Sequence, residues 1–272
     1  LFRIKGYTIA EGSRTSKGMN IVNLLQLAEG EKVTNMICQS KDAEQSGGYV
    51  TMVTKQGLIK RTPLEQYANI RKSGLIGIAL NEGDALAWTR LTSGHDMLIV
   101  ATRNGQAIRF NEEDARPMGR NGHGVRAIRL AEGDEVVGMQ MASQGEYMLV
   151  VSEKGYGKRT GISEFKLQLR GGKGLLCYNV TEKTGNLVGM KLLDDGRDIM
   201  LITNEGILIR MGVDDISVIG RNTSGVKLMS IDADSDVRVA SIAKVRESSR
   251  QDEEENVEDP ERNMFVLSKG HN

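Results

Sequence analysis

Aromatic residues, proline, cysteine and histidine are all scarce in this chain of 272 residues, and each scarcity excludes something. Aromatic side chains make up 4% of the residues, which argues against single-stranded nucleic acid held by base stacking. No apolar run reaches the roughly 18 residues of a membrane-spanning helix, so we expect no membrane partner. Three prolines beside 32 glycines predict many turns and few rigid linkers.

Residues that could supply chemistry are equally sparse. Cys38 and Cys177 lie far apart without metal-ligand spacing, which predicts reduced thiols in a cytoplasmic protein. The three histidines are isolated from one another, so no metal site is predicted. A basic, glycine-rich stretch at 168–174, QLRGGKG, lacks the Gly-Lys-Ser/Thr order of a nucleotide-binding P-loop. Carboxylates recur in turns such as EGD, where capping explains them better than acid–base catalysis, and we predict no catalytic residue.

The formal net charge of zero conceals an uneven distribution of charge. Residues 247–261 hold eight acids and one base, which leaves 35 basic and 28 acidic residues in the rest of the chain. A basic body with an acidic tail is typical of a polyanion binder whose tail competes for the same surface. A solvated disordered tail is the alternative interpretation, and we assign 247–262 as an acidic disordered tail.

The chain contains a repeated pattern in which a β-branched, apolar run ends in a polar turn with glycine. The repeats read YVTMVTKQGLIKR, MLIVATRNGQAIR, YMLVVSEKGYGKR and IMLITNEGILIR. Their turn glycines, spaced by 48, 50 and 51 residues, are Gly57, Gly105, Gly155 and Gly206. The fourth residue after each glycine is an arginine: Arg61, Arg109, Arg159 and Arg210. A strand, a tight turn that needs positive φ and a second strand predict a β-hairpin.

A second glycine follows each turn glycine after 17 to 19 residues, within a basic segment. These glycines are Gly74, Gly124, Gly174 and Gly225. The arginines that precede them by three or four residues are Arg71, Arg120, Arg170 and Arg221. The N-terminal residues align as a repeat without its first strand, with Arg3 at the position of Arg61, Gly18 at that of Gly74, and Arg14 four residues before Gly18. QLRGGKG is therefore the third of four related turns.

The repeat length predicts the fold. Each repeat continues with another apolar strand, an acidic turn and a last strand, as in EGDALAW and EGDEVVGM. Four short strands in each repeat predict an all-β, propeller-like ring of about five to six four-stranded blades, with the first blade truncated. The ring would span residues 1–246. Leucine at position 1 predicts a fragment of a longer protein. Residues 263–272 look like an opening strand that completes the first blade, and a frayed end is the alternative.

The recurring bases predict the ligand. A single arginine at a strand end is more often a solvated edge residue that discourages sheet aggregation. The same position in every repeat of a ring lies on one rim, so the bases would form a curved positive stripe. Phosphates along a bent duplex would meet that stripe with sequence-independent affinity, and neighbouring glycines would let backbone amides approach. We therefore predict that the partner is double-stranded DNA, bent around the outside of the ring.

The predicted DNA contacts are the bases of the hairpins and of the glycine turns, some of which we expect to be structural. The bases are Arg3, Arg14, Lys60, Arg61, Arg71, Arg109, Arg120, Arg126, Lys158, Arg159, Arg170, Lys173, Arg210 and Arg221. Gln168, Gly171, Gly172 and Gly174 complete the set. No metal ligand is predicted.

Several of these segments resemble one family, the C-terminal domains of the A subunits of bacterial DNA gyrase, which have a β-pinwheel fold. The similar segments are GYGKRTGISEF, QLRGGKG, GRNGHGVRAIRL and ILIRMGVDDISVIGRNTSGV, and the resemblance runs in register from residue 1 to about residue 245. The family's box reads Gln-Arg-Arg-Gly-Gly-Lys/Arg-Gly, which residues 168–174 match except for Leu169 at the first arginine. We interpret 168–174 as a box-like sequence of a later blade.

The resemblance implies that the domain wraps double-stranded DNA around its perimeter with a positive crossing, so that an ATP-driven holoenzyme introduces negative supercoils. Implied partners are the gyrase A breakage-reunion region and gyrase B, in the cytoplasm at the nucleoid. ATP and Mg²⁺ would be used by the rest of the holoenzyme, and no cofactor is predicted for this chain. The alternatives are the C-terminal domain of topoisomerase IV and a propeller that binds a protein partner through apolar hot spots.

Overall fold

The computed structural model of the chain describes residues 1–13, 15–31, 33–37, 48–232 and 236–245. Within these ranges the chain forms β-strands and short 3₁₀ helices. None of the helices in the described ranges has the length and apolar character required to span a membrane. Arg14, the acidic tail at 247–262 and the strand predicted at 263–272 lie outside the described residues, so those predictions stay predictions.

The strands and 3₁₀ helices recur in the same order along the chain. The strands are β1 (Tyr49–Thr54), β2 (Leu58–Pro63), β3 (Leu86–Thr92), β4 (Met97–Thr102), β5 (Gln106–Asn111), β6 (Val125–Arg126), β7 (Val136–Met141), β8 (Tyr147–Ser152), β9 (Tyr156–Gly161), β10 (Leu175–Leu176), β11 (Leu187–Leu193), β12 (Asp198–Thr203), β13 (Leu208–Gly212), β14 (Val226–Lys227) and β15 (Val239–Lys244). The 3₁₀ helices are Gly6–Thr8, Ile21–Asn23, Leu64–Tyr67, Glu112–Asp114, Ala142–Gln144, Ile162–Glu164 and Val213–Asp215.

The hairpins predicted from the repeats are present as β1–β2, β4–β5, β8–β9 and β12–β13. The turn glycine of each hairpin has a φ of 78° to 83°, a conformation that glycine adopts without steric cost. In each turn a hydroxyl oxygen accepts a hydrogen bond of 3.1–3.3 Å from the backbone amide four residues later. These acceptors are Thr54, Thr102, Ser152 and Thr203. The polar residue before the turn is therefore part of the hairpin signal.

The strands assemble into four antiparallel sheets, which confirms the all-β prediction. Their strand orders are β3-β1-β2-β6, β7-β4-β5-β10, β11-β8-β9-β14 and, within the described residues, β13-β12-β15. The fourth strand of each four-stranded sheet has only two residues and comes from the glycine turn of the following repeat. The sequence predicted four strands per repeat, but each sheet takes its fourth strand from the next repeat, so successive repeats are interlocked.

The N-terminal residues are also paired with the glycine turn of the following repeat. The amine of Leu1 donates to the carbonyl of Leu75 at 2.8 Å, and the amide of Leu75 donates to the carbonyl of Leu1 at 3.0 Å. Ile59 and Val125 are paired in the same way between the next two repeats. Leu1 stands two residues before Arg3, as Ile59 stands two residues before Arg61. The pairing supports the alignment of residues 1–18 as the end of an earlier repeat.

The apolar core lies between successive sheets. Leu98 and Val100 of β4 belong to a buried cluster shared with the first sheet, whereas Ile99 and Ala101 belong to one shared with the third. A similar cluster joins the third and fourth sheets. A strand buried on both faces explains why the repeats read as continuous apolar runs rather than as alternating ones. This stack of sheets presents the glycine turns at each junction.

Candidate nucleic-acid interface

In the first three hairpins, and at the equivalent Arg3, the repeated arginine connects one repeat to the next. Its guanidinium donates to the carbonyl that ends the 3₁₀ helix of the following repeat. The pairs are Arg3 Nη1 to Ala68 at 3.3 Å, Arg61 Nε to Ala115 at 2.9 Å, Arg109 Nη1 to Phe165 at 3.4 Å and Arg159 Nε to Ile216 at 2.8 Å. A recurring structural contact therefore accounts for the periodic arginine.

Arg61 and Arg159 are buried, each with only 5% of its surface exposed. The Arg61 guanidinium lies 3.7 Å from the Glu112 carboxylate and 4.4 Å from the centre of an aromatic ring, that of Tyr49. Arg159 is hydrogen bonded to Asp195. Their charges are thus neutralised inside the protein. This placement removes both arginines from the predicted DNA contacts, because neither guanidinium can reach a phosphate in this structure.

Lys60 and Lys158 are even more deeply buried, with no exposed surface. The Lys60 ammonium donates to the carbonyls of Gly77, at 2.5 Å, and of Arg120. The Lys158 ammonium donates to the carbonyls of Gly220, at 2.8 Å, and Arg221, at 2.5 Å. These two lysines are also removed from the direct contact set, since their ammonium groups are enclosed by backbone.

Burial alters the acidity of both lysines. Loss of water around the ammonium lowers the pKa of Lys60 to about 8, and the Arg120 charge adds to the effect. Desolvation lowers the pKa of Lys158 to about 8 as well. The thiol of Cys177, which is buried near Lys158, has a pKa raised by desolvation to about 12, so it is protonated at neutral pH. The described residues contain no cluster of His, Cys, Asp and Glu that could hold a metal.

Three further predicted bases are bonded to neighbouring groups of the protein, although Arg210 is exposed and Arg170 and Arg221 are partly exposed. Arg210 is held by Asp198, whose carboxylate accepts from Nε at 2.8 Å. Arg170 donates from Nε to the carbonyl of Asp114 at 2.7 Å and from Nη1 to that of Arg126 at 3.0 Å. Arg221 donates to the carbonyl of Leu176 at 3.0 Å. The arginine of the glycine turn is therefore another connection between repeats.

The glycine turn at 168–174 packs against the preceding repeat rather than forming an open cradle. The amide of Gln168 donates to the carbonyl of Arg109 at 2.9 Å, and that of Gly171 donates to Ala127 at 2.6 Å. Gly174 has a φ of +79°, and a Cβ there would lie 2.4 Å from the Ala107 carbonyl oxygen. The glycines are needed for this close approach to the neighbouring backbone.

Three exposed bases meet at the junction between the second and third repeats. The amide of Arg129 donates to the carbonyl of Gly172 at 2.8 Å, and the carbonyl of Arg126 accepts from Arg170, which places both residues beside Lys173. We call Arg126, Arg129 and Lys173 the basic junction surface. All three are exposed, and none of their side chains forms a hydrogen bond or ion pair within the described part of the chain.

The neighbouring junctions have the same backbone geometry without the charge. The amide of Ala79 donates to Gly122 at 3.2 Å, and that of Asn179 donates to Thr223 at 3.0 Å, as Arg129 does to Gly172. The residues equivalent to the basic junction surface are Ile76, Ala79 and His123 at one junction, and Leu176, Asn179 and Ser224 at the other. The uncompensated positive charge at these positions therefore belongs to one junction.

Other exposed bases lie elsewhere along the repeats. Arg71 and Arg120 were predicted as contacts and are exposed, as is Arg3. Arg116 and Lys166 are exposed too and occupy equivalent positions, each following the residue that ends a 3₁₀ helix. Neither of these two bases, nor Arg129, was predicted as a contact from the sequence. The repeat alignment could have found Arg116 and Lys166, because both are basic at one aligned position.

Comparison with known proteins finds one family that matches along the length of the chain. The family model described as DNA gyrase C-terminal domain, beta-propeller, matches residues 1–40, 48–93, 96–143, 146–194 and 197–246. The DNA gyrase A protein of Clostridium acetobutylicum is 48% identical over 261 residues, which are 96% of this chain and 30% of that protein. The DNA gyrase A protein of Staphylococcus aureus is 39% identical over 272 residues, 99% of this chain and 30% of that protein. The chain therefore spans about a third of the length of these relatives.

Solved structures give the same result. The C-terminal domain of DNA gyrase A has a TM-score of 0.73 and 25% identity, covering 89% of this chain and 78% of that one. The C-terminal domain of DNA topoisomerase IV has a TM-score of 0.77 and 26% identity, covering 88% and 75%. The fold is thus common to both kinds of topoisomerase, whereas the family model and both curated relatives above are of the gyrase A kind.

Proposed function

The chain belongs to the DNA gyrase C-terminal domain family, and on that basis we propose that it binds double-stranded DNA through phosphates and wraps it around its rim. The basic junction surface is the observation that most directly supports the proposal. Its three side chains are exposed, have no partner among the described residues and lie where the glycine turns of two successive repeats are hydrogen bonded to each other. Bases in this state are available to phosphate oxygens.

The proposed contacts differ from the set predicted from the sequence. We propose that Arg126, Arg129 and Lys173 make the main phosphate contacts. Arg120 and Lys166 would extend the path of the DNA along the rim. Four of the predicted DNA contacts bond to groups of the next repeat and hold successive repeats together: Arg61, Arg159, Lys60 and Lys158. The interlocked sheets make the rim a rigid support, which suits a ligand that must be bent, since a yielding support would relax instead of bending the DNA.

The energetics are compatible with wrapping. Bending 20–30 base pairs smoothly through 40–90° costs on the order of 1–6 kcal/mol. Each phosphate that is neutralised releases condensed counterions, so the affinity depends steeply on salt. A few such contacts at low salt would offset the bending cost. We therefore propose a wrap that forms at low ionic strength and weakens as salt rises.

The role in the whole protein is also a proposal. We propose that this domain supplies the wrapped segment to a breakage-reunion region elsewhere in a gyrase A protein, with gyrase B as its partner. ATP and Mg²⁺ would be used by those other parts, and the product would be negatively supercoiled DNA. Within this assembly the chain itself would bind and shape DNA without performing chemistry.

The test is a triple variant, Arg126→Gln, Arg129→Gln and Lys173→Gln, compared with a control of equal charge, Lys17→Gln, Lys183→Gln and Lys244→Gln. Binding to double-stranded DNA is followed by fluorescence anisotropy across a salt series. Each lost phosphate contact should flatten the slope of log K against log salt by about 0.9. We expect a flatter slope and lower affinity for the junction variant, and a near wild-type slope for the control.

Equal slopes for the junction variant and the wild type would contradict the assignment of these contacts. Failure of the wild type to bind DNA at low salt would contradict the function itself. In that case the exposed apolar side chains beside the turn, Leu167 and Leu169, would favour the protein-partner alternative, since these two are 56% and 78% exposed.

A further inference from the structure

Two buried lysines in this fold have no acidic partner. The acceptors of Lys60 are two backbone carbonyls, and those of Lys158 are two carbonyls and the Thr223 hydroxyl at 3.0 Å. Neither ammonium forms a salt bridge within the described residues. A buried cation is costly unless an anion compensates it. The positive charge of these two lysines is therefore left uncompensated by the protein.

The acceptors of both ammonium groups belong to the basic glycine turns. Lys60 holds the carbonyl of Arg120, in the turn of the second repeat, and Lys158 holds the carbonyl of Arg221, in the turn of the fourth. Arg120 presents its guanidinium at the surface, and Arg221 is partly exposed. Lys60 thus lies directly behind the turn that carries Arg120, on the proposed DNA path, and Lys158 lies behind the equivalent turn of the fourth repeat.

The other titratable groups around the two lysines are few. Around Lys60 these are the like charge of Arg120 and the hydroxyl of Tyr67, which donates to the same Gly77 carbonyl at 3.1 Å. Around Lys158 they include the protonated thiol of Cys177, the like charge of Arg221 and the Tyr178 ring, whose centre lies 5.7 Å from the ammonium.

Glu164 is the one acid that acts on Lys158. Its carboxylate is exposed, lies 4.0 Å from the Arg221 guanidinium and accepts from the Arg221 amide at 3.1 Å. Glu164 is therefore engaged with Arg221 and compensates the buried ammonium only weakly. Neither lysine has an acid of its own.

We propose that DNA binding is coupled to protonation of Lys60 and Lys158. The DNA phosphates would supply the negative charge that no acidic side chain of the described residues provides beside these two ammonium groups. The inference rests on the proposed function. Each free amine takes up one proton from solvent as the polyanion approaches its turn. By linkage, a ligand that favours the protonated form binds more weakly where that form is depleted.

The sign of the pH dependence follows from the lowered pKa values of the two lysines. In the free domain both amines have a pKa of about 8, so they are mostly charged at pH 7 and mostly neutral at pH 9. DNA raises the pKa of each, and affinity is lost as pH rises through 8. If binding raises each pKa by about one unit, the limiting loss is about tenfold per lysine.

The chain provides its own matched substitution. The position of Lys60 and Lys158 is occupied by Ile108 in the second repeat and by Ile209 in the fourth. Ile108 is fully buried, and its Cδ1 lies 3.6 Å from where a Cβ on Gly172 would be, so isoleucine fills the same space against the next turn. The double variant Lys60→Ile, Lys158→Ile keeps this packing and removes both titrating groups.

The experiment measures proton uptake when a double-stranded DNA is titrated into the domain at pH 8.5, by calorimetry in two buffers of different ionisation enthalpy. We expect net uptake by the wild type and much less by the double isoleucine variant. In parallel, wild-type affinity should fall about fivefold for each lysine, or about 25-fold for the two, from pH 7 to pH 9, and the variant's affinity should stay nearly flat. Equal uptake by the two proteins would overturn the inference.

A second measurement does not depend on the variant's folding. Nuclear magnetic resonance of ¹³C-labelled lysine in the wild type gives the pKa of the two buried amines with and without DNA, assigned through the single isoleucine variants or as the two lowest values. We expect both pKa values to rise on binding. Unchanged values with DNA bound would overturn the inference alone, whereas no binding at pH 7 and low salt would contradict the proposed function.

Discussion

Four of the repeated arginines, Arg3, Arg61, Arg109 and Arg159, each connect two repeats through a carbonyl more than fifty residues away. Arg61 reaches Ala115, and Arg159 reaches Ile216. A guanidinium can satisfy a carbonyl and an acid at once, because its donors are fixed in a planar fork. Lysine at these positions would lose that geometry. The arginine is therefore a structural residue with an effect on neighbouring repeats.

Removing one such connection should be costly. Arg61→Ala leaves Glu112, which has no exposed surface, without its cationic partner inside the protein. Loss of one member of a buried ion pair costs about 3–5 kcal/mol, and we expect the free energy of unfolding to fall by that amount. Denaturant unfolding measures it.

The matched control is Arg126→Ala, which removes an exposed guanidinium without partners among the described residues. Its unfolding free energy should stay within about 0.5 kcal/mol of the wild type. Similar losses for the two variants would contradict the distinction between connecting and exposed arginines.

The role of these arginines was not predictable from local sequence. An arginine four residues after a hairpin glycine looks the same whether its guanidinium points to solvent or to a carbonyl in the next repeat. Lys60 and Lys158 were likewise predicted as DNA contacts. The residues next to a lysine in the sequence do not show whether its ammonium group faces solvent or is enclosed by the backbone of another repeat. Only the stacking of repeats separates these cases.

The exchanged two-residue strands are the elements that join the repeats. Val125–Arg126 adds to the sheet of the first repeat, and Leu175–Leu176 to that of the second. Each follows a glycine whose backbone lies against the strand it joins. In Gly174 the missing Cβ would lie 2.4 Å from the Ala107 carbonyl, so the exchange depends on glycine at this position.

Two glycine variants distinguish the energetic cost of a steric clash with the neighbouring backbone from the cost of a positive φ. Gly174 and Gly206 have similar φ values, +79° and +83°, but a Cβ on Gly206 would meet nothing within 4 Å. Gly206→Ala should cost about 1 kcal/mol, the penalty for a left-handed conformation alone. Gly174→Ala should cost clearly more, because the neighbouring backbone must also move.

Thermal or denaturant unfolding of the two glycine variants provides the measurement. Gly174→Ala should also weaken DNA binding, since Lys173 stands on the displaced turn, while Gly206→Ala should leave binding unchanged. Equal stability losses would mean that the turn at 168–174 shifts at little energetic cost and that the exchange does not require glycine.

Strands that contain a recognisable apolar pattern were predictable from the sequence, whereas strands of two residues are too short to show one. The hairpins follow from apolar runs, turn glycines and the polar residue before each turn. A strand of two residues has no periodicity, so the partner of Val125–Arg126 or Leu175–Leu176 could not be inferred from its own sequence. Its location within a basic turn favoured an interpretation as a ligand contact only.

At the scale of the whole molecule, the formal charge of zero hides a localised positive surface. The repeat predicts a uniform stripe of bases, whereas the structure buries several repeated bases, such as Arg61 and Arg159, and adds three exposed, unpaired bases at one junction among the described residues. The regular pattern therefore connects the repeats, and the departures from the pattern, such as Arg126, Arg129 and Lys173, create the surface that we propose binds DNA. Sequence alignment of the repeats can identify such departures once the structural positions are known.

Wrapping is tested most directly by topology. The chain is incubated with nicked circular plasmid, the nick is sealed with ligase, and the linking number of the product is read on a gel at low and high salt. We predict a shift of one sign for the wild type at low salt, its loss at high salt, and a much smaller shift for the Arg126→Gln, Arg129→Gln, Lys173→Gln variant. A wild type that binds the plasmid without changing its linking number would contradict wrapping, and an unchanged shift in the triple variant would contradict the role of the basic junction surface.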